Sequence, residues 1–181
     1  MAMHGSPMYR RAEPGQEDEV LAVLDESAAW LVAQGVRQWP GRFERAWIEP
    51  AILRGETWLV EVEGEVAATV TLDWADALWE DDGQAGYVHR MAVRRHAAGL
   101  GAEVLRWAAD VTRAAGRSFL RLDCVASNRR LRAYYESAGF AYRGDVTVGG
   151  APGQRESGGP ATLVSRYELP LDPADLPQIP R

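Results

Sequence analysis

The sequence predicts a single α/β domain, because strand-like and helix-like hydrophobic patterns alternate along most of its length. The chain has 181 residues, the size of one domain and enough to bury a core. Hydrophobic residues make up 46% of it and charged residues 25%, which is typical of soluble globular proteins. No apolar run approaches the roughly 18 residues that a membrane span needs, and the N-terminus lacks the apolar centre of a signal peptide.

The first half of the chain is predicted to contain two helices and a strand hairpin. Apolar residues at helical spacing, acidic residues in the first turn and a following Gly35 indicate the first helix. The second helical region is expected to be interrupted near Pro50, and Gly64 marks the turn of the hairpin. The predicted elements are a strand over 9–12, helices over 17–34 and 43–54, and strands over 57–63 and 66–74.

The second half is predicted to alternate strands and helices. An apolar face and a following Gly116 indicate the longer of its two helices. The predicted domain covers 9–169, between a disordered N-terminus over 1–8 and a Pro-rich tail over 170–181, and the Gly-rich segment 149–160 is predicted to be a flexible loop. The predicted elements are strands over 87–93, 118–124, 140–143 and 162–169, and helices over 102–115 and 128–137.

The segment from Tyr87 to Ala102 predicts a strand, a turn and a glycine-bearing helix start, an arrangement that can hold a phosphate. A helix start offers unpaired backbone N–H groups and the positive end of the helix dipole. A Walker-type loop is excluded because it needs a Lys, and all 20 basic residues of this chain are Arg. A dinucleotide-binding fingerprint is excluded because Val104 stands where its third Gly is required. What remains is the spacing His96-x-x-Gly99-x-Gly101.

This spacing resembles the acyl-CoA-binding segment of the GCN5-related N-acetyltransferases (GNAT), which is usually Gln/Arg-x-x-Gly-x-Gly/Ala. His96 departs from that pattern, since the family has Gln or Arg there. A second segment of the family, an Asn followed seven residues later by Tyr-Glu-x-x-Gly-Phe, is matched downstream. The resemblance extends over residues 9–169. The residues that match the second segment are Asn128, Tyr135, Glu136, Gly139 and Phe140.

The resemblance implies a mixed, mostly antiparallel central sheet with splayed central strands, flanked by helices on both faces. In the family, the pantetheine arm of acetyl-CoA lies between the splayed strands, and main-chain N–H groups at the helix start contact the diphosphate. Met91 would supply an N–H that polarises the thioester carbonyl. The implied cofactor-binding residues are Met91, Ala92, Val93, His96, Ala98, Gly99, Leu100, Gly101, Ala102, Asn128 and Tyr135.

Two of these residues have a structural alternative. Tyr135 matches the family position that acts as general acid toward the leaving sulfur, and a phenol, neutral at pH 7, can donate a proton. It could instead simply pack its helix on the sheet. Asn128 matches a position that contacts the pantetheine arm, and it is also well placed as a helix N-cap.

His89 and Asp73 are alternative candidates for the general base. His89 is expected to share a strand face with Met91, because strand faces alternate with a period of two. An imidazole is suited to removing a proton near neutral pH, directly or through a water. As structural alternatives, His89 could have its hydrogen bonds satisfied within the sheet, and Asp73 could be a solvated carboxylate in a turn.

Acidic and aromatic residues gather around the middle of the chain. The acidic run could attract a cationic amine or form a solvated loop, and the tryptophans could line an acceptor cleft or pack in the core. The single Cys124 is predicted to be a core residue, and no metal site is expected. The residues concerned are Asp73, Asp76, Glu80, Asp81 and Asp82, with Trp30, Trp39, Trp74 and Trp79.

The predicted function is acetyl-CoA-dependent transfer of an acetyl group to the primary amine of a small molecule. Direct attack in a ternary complex is expected, since no activated nucleophile is visible for a covalent acetyl-enzyme. The alternatives are acetylation of a protein N-terminus or lysine, and a non-catalytic acyl-CoA-binding module. The net charge of −6 argues against a nucleic-acid partner. A cytoplasmic bacterial protein without membrane contact is expected, with a homodimer left open.

Overall fold

The computed structural model describes residues 5–149 and 161–171. Within these residues, seven strands form one sheet, in the order β1-β2-β3-β4-β5-β7-β6. The strands are β1 (Met8–Arg11), β2 (Thr57–Val62), β3 (Glu65–Asp73), β4 (Ala85–Val93), β5 (Phe119–Val125), β6 (Ala141–Val148) and β7 (Thr162–Pro170). The helices are α1 (Glu17–Ala33), α2 (Arg45–Leu53), α3 (Leu100–Ala114) and α4 (Arg129–Ser137), and a short 3-10 turn (Arg95–Ala97) precedes α3.

The centre of the sheet is splayed. Every pairing in it is antiparallel except that of β4 with β5. These two parallel strands pair only from Ala85↔Phe119 to Tyr87↔Arg121, although β4 continues to Val93 and β5 to Val125. The predicted mixed, mostly antiparallel sheet with splayed central strands is therefore confirmed.

Helices cover both faces of the sheet, as predicted. On one face α1 and α2 pack through residues such as Leu24 and Ile52 against Leu59 of β2. On the other face α3 packs through residues such as Val104 against Leu120 of β5. Tyr135 of α4 belongs to this second layer of the core. Burial of apolar side chains on both faces fixes the sheet between two helical layers.

Pro50 does not interrupt α2, contrary to the prediction. It is the sixth residue of the helix, so its missing N–H would have bonded only the carbonyl of Ala46 in the first turn. Ile48, Ala51 and Ile52 are buried on the same helix. Their burial holds the helix together through the proline.

The last two strands are longer than predicted. β6 was expected over 140–143 but runs to Val148, and a register shift in its pairing with β7 follows Tyr142. Its residues are mostly exposed and partly polar, as in a strand at the edge of a sheet. The sequence therefore lacks the hydrophobic pattern from which such a strand is predicted. β7 includes Pro170, and Leu171 is buried, whereas the prediction assigned residue 170 to the tail. The rest of that tail, and the loop predicted over 149–160 apart from Gly149, lie outside the described residues.

None of the helices in the described ranges combines the length and the apolar character needed to cross a lipid bilayer.

Candidate active site

A cleft of about 1330 Å³ passes through the opening between β4 and β5. Its walls are formed by α1, the turn before α3, the two splayed strands and the start of α4. Small-molecule sites usually measure about 300–1,000 Å³. The cleft is therefore larger than one ordinary ligand requires, and residues from both faces of the sheet line it.

The start of α3 forms one end of the cleft. Gly99 precedes the helix with a φ of 101°, and no side chain caps the helix. The first main-chain N–H groups of a helix have no partner within it. Left-handed backbone at this position favours glycine, and Arg95 and Arg130 approach the ring of Trp30 at 4.1 and 6.0 Å on the cleft wall. This end of the cleft can therefore hold an anion.

Most of the predicted cofactor-binding residues line the cleft, and two do not. His96 is exposed and borders a separate small pocket beside Glu63. Leu100 points into the core, where it is 5% exposed. Those on the wall are Met91, Ala92, Val93, Ala98, Gly99, Gly101, Ala102, Asn128 and Tyr135.

His89 and Met91 do not share a face of β4, contrary to the prediction. His89 lies opposite Thr71 and Ala92 lies opposite Thr69, so His89 and Ala92 face the same side. Arg90 has a φ of 46° at a register shift between β3 and β4. This β-bulge adds one residue and turns Met91 to the face of α3, so that His89 faces the layer of α1 and α2.

His89 is surrounded by carboxylates at the other end of the cleft. Its Nε2 lies 3.2 Å from the Asp73 carboxylate and 3.7 Å from Oδ2 of Asp76. Asp123 of β5 offers a third carboxylate in the same group. The two alternative bases named by the sequence are therefore hydrogen-bonded neighbours. This arrangement can accept a proton and attract a cation.

The acidic run divides into two parts with different roles. Asp73 and Asp76 face the cleft, whereas Glu80 and Asp81 are exposed. Asp82 pairs with Arg121 of β5 at 2.8 Å. The charge at the cleft therefore comes from only part of the run, together with Asp123, which the sequence analysis did not single out.

Tyr135 is buried beside the cleft and protonated. It is 6% exposed, and its ring packs against Tyr134, Phe140 and Tyr167. Burial raises the pKa of its phenol above the ordinary value. The group therefore holds its proton at neutral pH, as a proton donor must, and it also packs α4 on the sheet.

Asn128 is the N-cap of α4 and also bonds a distant loop. Its Oδ1 accepts from the N–H of Leu131 at 3.2 Å, and its Nδ2 donates to Oε1 of Gln38 at 3.1 Å. The same Gln38 oxygen accepts from the N–H of Val125, in the splayed part of β5. The sequence offered no indication of Gln38, which lies in the irregular segment between α1 and α2.

The four tryptophans separate into two pairs. Trp30 and Trp39 line the cleft. Trp74 lies on the surface against Arg117, and Trp79 packs beside Arg121 and Arg166. Trp30 and Trp39 are therefore on the cleft wall, Trp79 is half-buried, and Trp74 is a surface residue that fits neither prediction.

Cys124 is a core residue, as predicted. It is fully buried in β5, and burial raises the pKa of its thiol to about 12. A thiol in this state is unreactive, so it offers no nucleophile to the site.

Sequence comparisons agree with this geometry. The profile of the Acetyltransferase (GNAT) family matches residues 24–140. The chain is 34% identical, over 139 residues, to the "Uncharacterized N-acetyltransferase YesJ" of Bacillus subtilis (strain 168). That alignment covers 70% of this chain and 77% of the relative.

Solved structures share the fold. A GNAT-family acetyltransferase from Listeria monocytogenes 4b F2365 is 26% identical and superposes with a TM-score of 0.70, covering 91% of this chain and 95% of that one. A second structure, described as "yncA, a putative ACETYLTRANSFERASE from Salmonella typhimurium with its cofactor Acetyl-CoA", is 16% identical with a TM-score of 0.63. That match covers 97% of this chain and all of the other, 100%.

Proposed function

Because the chain belongs to the GNAT family of acetyltransferases, we propose that it transfers an acetyl group from acetyl-CoA to the primary amine of a small molecule in a ternary complex. The observation that carries this proposal is the cleft through the splayed strands. It joins an uncapped helix start on one face to the His89–Asp73 pair on the other. Its volume of about 1330 Å³ leaves room for two substrates together.

The cleft fits the cofactor by shape and by charge. Free N–H groups at the start of α3 suit a diphosphate, and the edge of β4 beyond Tyr87 has no β5 partner to occupy it. Bound acetyl-CoA would supply the thioester that the amine attacks. The backbone near Met91 would orient this thioester by hydrogen bonding, and Gly101 would allow close approach of the main chain.

Proton transfer is assigned to His89 and Tyr135. As the amine nitrogen bonds the acetyl carbon and the carbon–sulfur bond breaks, His89 would take the proton that the amine loses. Asp73, hydrogen-bonded to Nε2 of His89, would orient the ring for this transfer. Tyr135 would give its proton to the departing sulfur.

A small acceptor is favoured over a protein segment by the position of Gln38. This side chain bonds Val125 of β5 and Asn128 of α4, and Trp39 beside it lines the cleft. The segment between α1 and α2 is thereby tied across the end of the splayed strands. That tie would leave less room for a long acceptor to approach the cleft.

The experiment is an acceptor screen with the purified protein, acetyl-CoA and a panel of small primary amines, N-terminal peptides and lysine peptides. Release of free CoA is followed by absorbance, and each acetylated product is identified by mass spectrometry. Turnover of small amines supports the proposal, whereas turnover of peptides alone contradicts it. Tight acetyl-CoA binding without turnover of any amine indicates a non-catalytic binding module instead.

A further inference from the structure

Residues 74–84, here called the β3–β4 segment, have no regular secondary structure, and residues 75–78 of the segment line the cleft. This segment carries Asp76, whose side chain is 2% exposed and faces His89. Oδ1 of Asp76 accepts from the N–H of Leu78, and its carbonyl accepts from the N–H of Trp79. The position of the Asp76 carboxylate therefore depends on where Leu78 and Trp79 are held.

Arg121 fixes the far part of this segment. Its guanidinium makes a two-pronged contact with Asp82, from Nη1 at 3.1 Å and from Nη2 at 2.8 Å. Nε donates to Glu168 at 2.8 Å and Nη1 to the Tyr87 hydroxyl at 3.0 Å. The Arg121 side chain is only 7% exposed and that of Asp82 is 36% exposed, so the bonds to Glu168 and Tyr87 are shielded from water more than the bond to Asp82. The contact with Arg121 also lowers the pKa of the Asp82 carboxyl.

Trp79 is held between two guanidinium groups. The centre of its ring lies 4.8 Å from Cζ of Arg121 and 5.2 Å from Cζ of Arg166, within the range of cation–π attraction. Arg166 also donates to the carbonyl of Leu78 at 3.0 Å. The residues next to Asp76 are thus clamped onto β5 and β7 of the sheet.

The contacts of Arg121 with Asp82 and Trp79, here called the clamp, lie where the sheet begins to splay. Tyr87↔Arg121 is the last pair between β4 and β5, and Tyr87 is two residues before His89 on the same strand. Asp73 pairs with Tyr87, and Thr71 pairs with His89. These five residues therefore face the layer of α1 and α2, and Arg121 reaches the segment from the point at which the cleft opens.

We infer that Arg121 is a positioning residue, which acts through Asp82 and Trp79 to hold the β3–β4 segment so that Asp76 faces His89 at the acceptor end of the cleft. The inference rests on the proposed function only in calling that end the acceptor end. Since a small misplacement of a reacting group lowers rates strongly, loosening the clamp impairs use of the amine. It does not impair use of acetyl-CoA, which is held at the α3 end.

Three variants test this inference. Asp82→Asn, at a side chain that is 36% exposed, weakens the clamp with little risk to folding. Arg121→Gln removes it. Arg143→Gln is the matched control, because Arg143 also pairs with Glu168, at 2.9 Å and through a side chain that is 50% exposed. Among the described residues, the Arg143 side chain has no hydrogen bond or ion pair with the segment.

Steady-state kinetics are measured for both substrates of each variant. The expected result for Asp82→Asn and Arg121→Gln is an about 10- to 100-fold fall in kcat/KM for the amine, with the KM for acetyl-CoA unchanged and Arg143→Gln like the wild type. Asp76→Asn is also expected to lower kcat/KM for the amine. In the double variant Asp76→Asn with Asp82→Asn, kcat/KM for the amine falls by less than the product of the two single effects. A raised KM for acetyl-CoA, additive effects in the double variant, or wild-type kinetics would overturn the inference.

Hydrogen exchange of residues 74–84 supplies a readout that does not depend on catalysis. Exchange of the Leu78 amide becomes faster in Arg121→Gln, while the amides of α1 and β2 are unchanged. Unchanged exchange at Leu78 counts against the clamp. If the wild type acetylates no amine, the proposed function fails and exchange alone decides on the clamp.

Discussion

Tyr135 shows how one buried side chain can have both a structural and a chemical role. Its ring packs with Phe140 and Tyr167, and the residue is one of those that line the cleft. Its raised pKa makes it a weaker acid but keeps it protonated. Ionisation of Tyr135 is therefore not expected to limit the reaction below about pH 10, the ordinary pKa of a tyrosine.

Replacing Tyr135 by Phe tests the chemical role. The ring and its packing remain, so the free energy of unfolding changes little. Loss of the proton donor is expected to lower kcat about 100-fold, at the lower end of general acid catalysis, with acetyl-CoA affinity retained. Tyr134→Phe is the matched control, since Tyr134 is adjacent and 37% exposed. Equal kcat values for the two variants, measured at saturating substrates, would remove the acid role.

Gly101 is the residue at which the anion-binding end of the cleft is most easily tested. Its backbone is helical, and a Cβ placed on it would lie 3.3 Å from the Tyr134 hydroxyl, so a side chain strains the neighbours only slightly. Gly99, with its positive φ, would be strained by any substitution and is a poorer test. Gly101→Val is expected to abolish measurable acetyl-CoA binding in calorimetry while urea unfolding stays near wild type. Retained affinity would show that the diphosphate does not lie at this helix start.

At the scale of whole elements, the packing of α3 on β4 determines where the helix start lies. Gly86 of β4 touches Thr112 of α3 so closely that an added Cβ would come within 2.9 Å of the Thr112 Cγ2. The Thr112 hydroxyl is buried and has no hydrogen-bond partner within the described ranges. The contact between Gly86 and Thr112 is therefore one of close packing, without a hydrogen bond.

Gly86→Ala is therefore expected to destabilise the protein by about 1–3 kcal/mol, as overpacked cores do. Adding Thr112→Ala to Gly86→Ala removes the side-chain atoms that the new Cβ would meet, so the double variant should regain part of the lost stability. Gly41→Ala, whose Cβ would meet only Val32 at 3.9 Å, serves as control. Denaturant unfolding provides the measurement, and a neutral Gly86→Ala would contradict the close packing.

The sequence was sufficient for elements whose cause is local. Apolar spacing and a following Gly predicted α1 and α3 within a few residues, and Asn128 was predicted as the cap that it is. The prediction that His89 and Met91 share a face of β4 was wrong. The β-bulge between them arises from pairing with β3, a strand about 20 residues away in the chain. Gln38 and Arg121 could not be found either. Their partners come from distant parts of the chain, and no periodic pattern marks them.

At the scale of the whole molecule, the two helical layers divide the work of the cleft. The layer with α3 presents the uncapped helix start, and the layer with α1 and α2 covers the carboxylate cluster around His89. The splayed strands are the passage between them. Opposite charges at its two ends favour a phosphate-bearing ligand on one side and a cationic one on the other.

The rate at which the Cys124 thiol is labelled reports on opening of the sheet. The thiol is fully buried in β5 and its pKa is raised to about 12. It should therefore react with a disulfide reagent at pH 8 only when the sheet opens, far more slowly than an unfolded thiol. Since the unfolded thiol ionises near pH 8.5, the stability that this burial contributes is full below that pH. It declines as the pH rises toward and through the folded value.

Acetyl-CoA at about 100 times its Kd should slow this labelling about 100-fold, because a ligand of the native state lowers the open population by that factor. Gly101→Val should label at the wild-type rate without ligand and gain no protection from it. Labelling is measured by absorbance and intact mass, with Cys124→Ala as the blank. Rapid labelling of the wild type would show that β5 is not closed. Equal protection of Gly101→Val would place the cofactor elsewhere than at the start of α3.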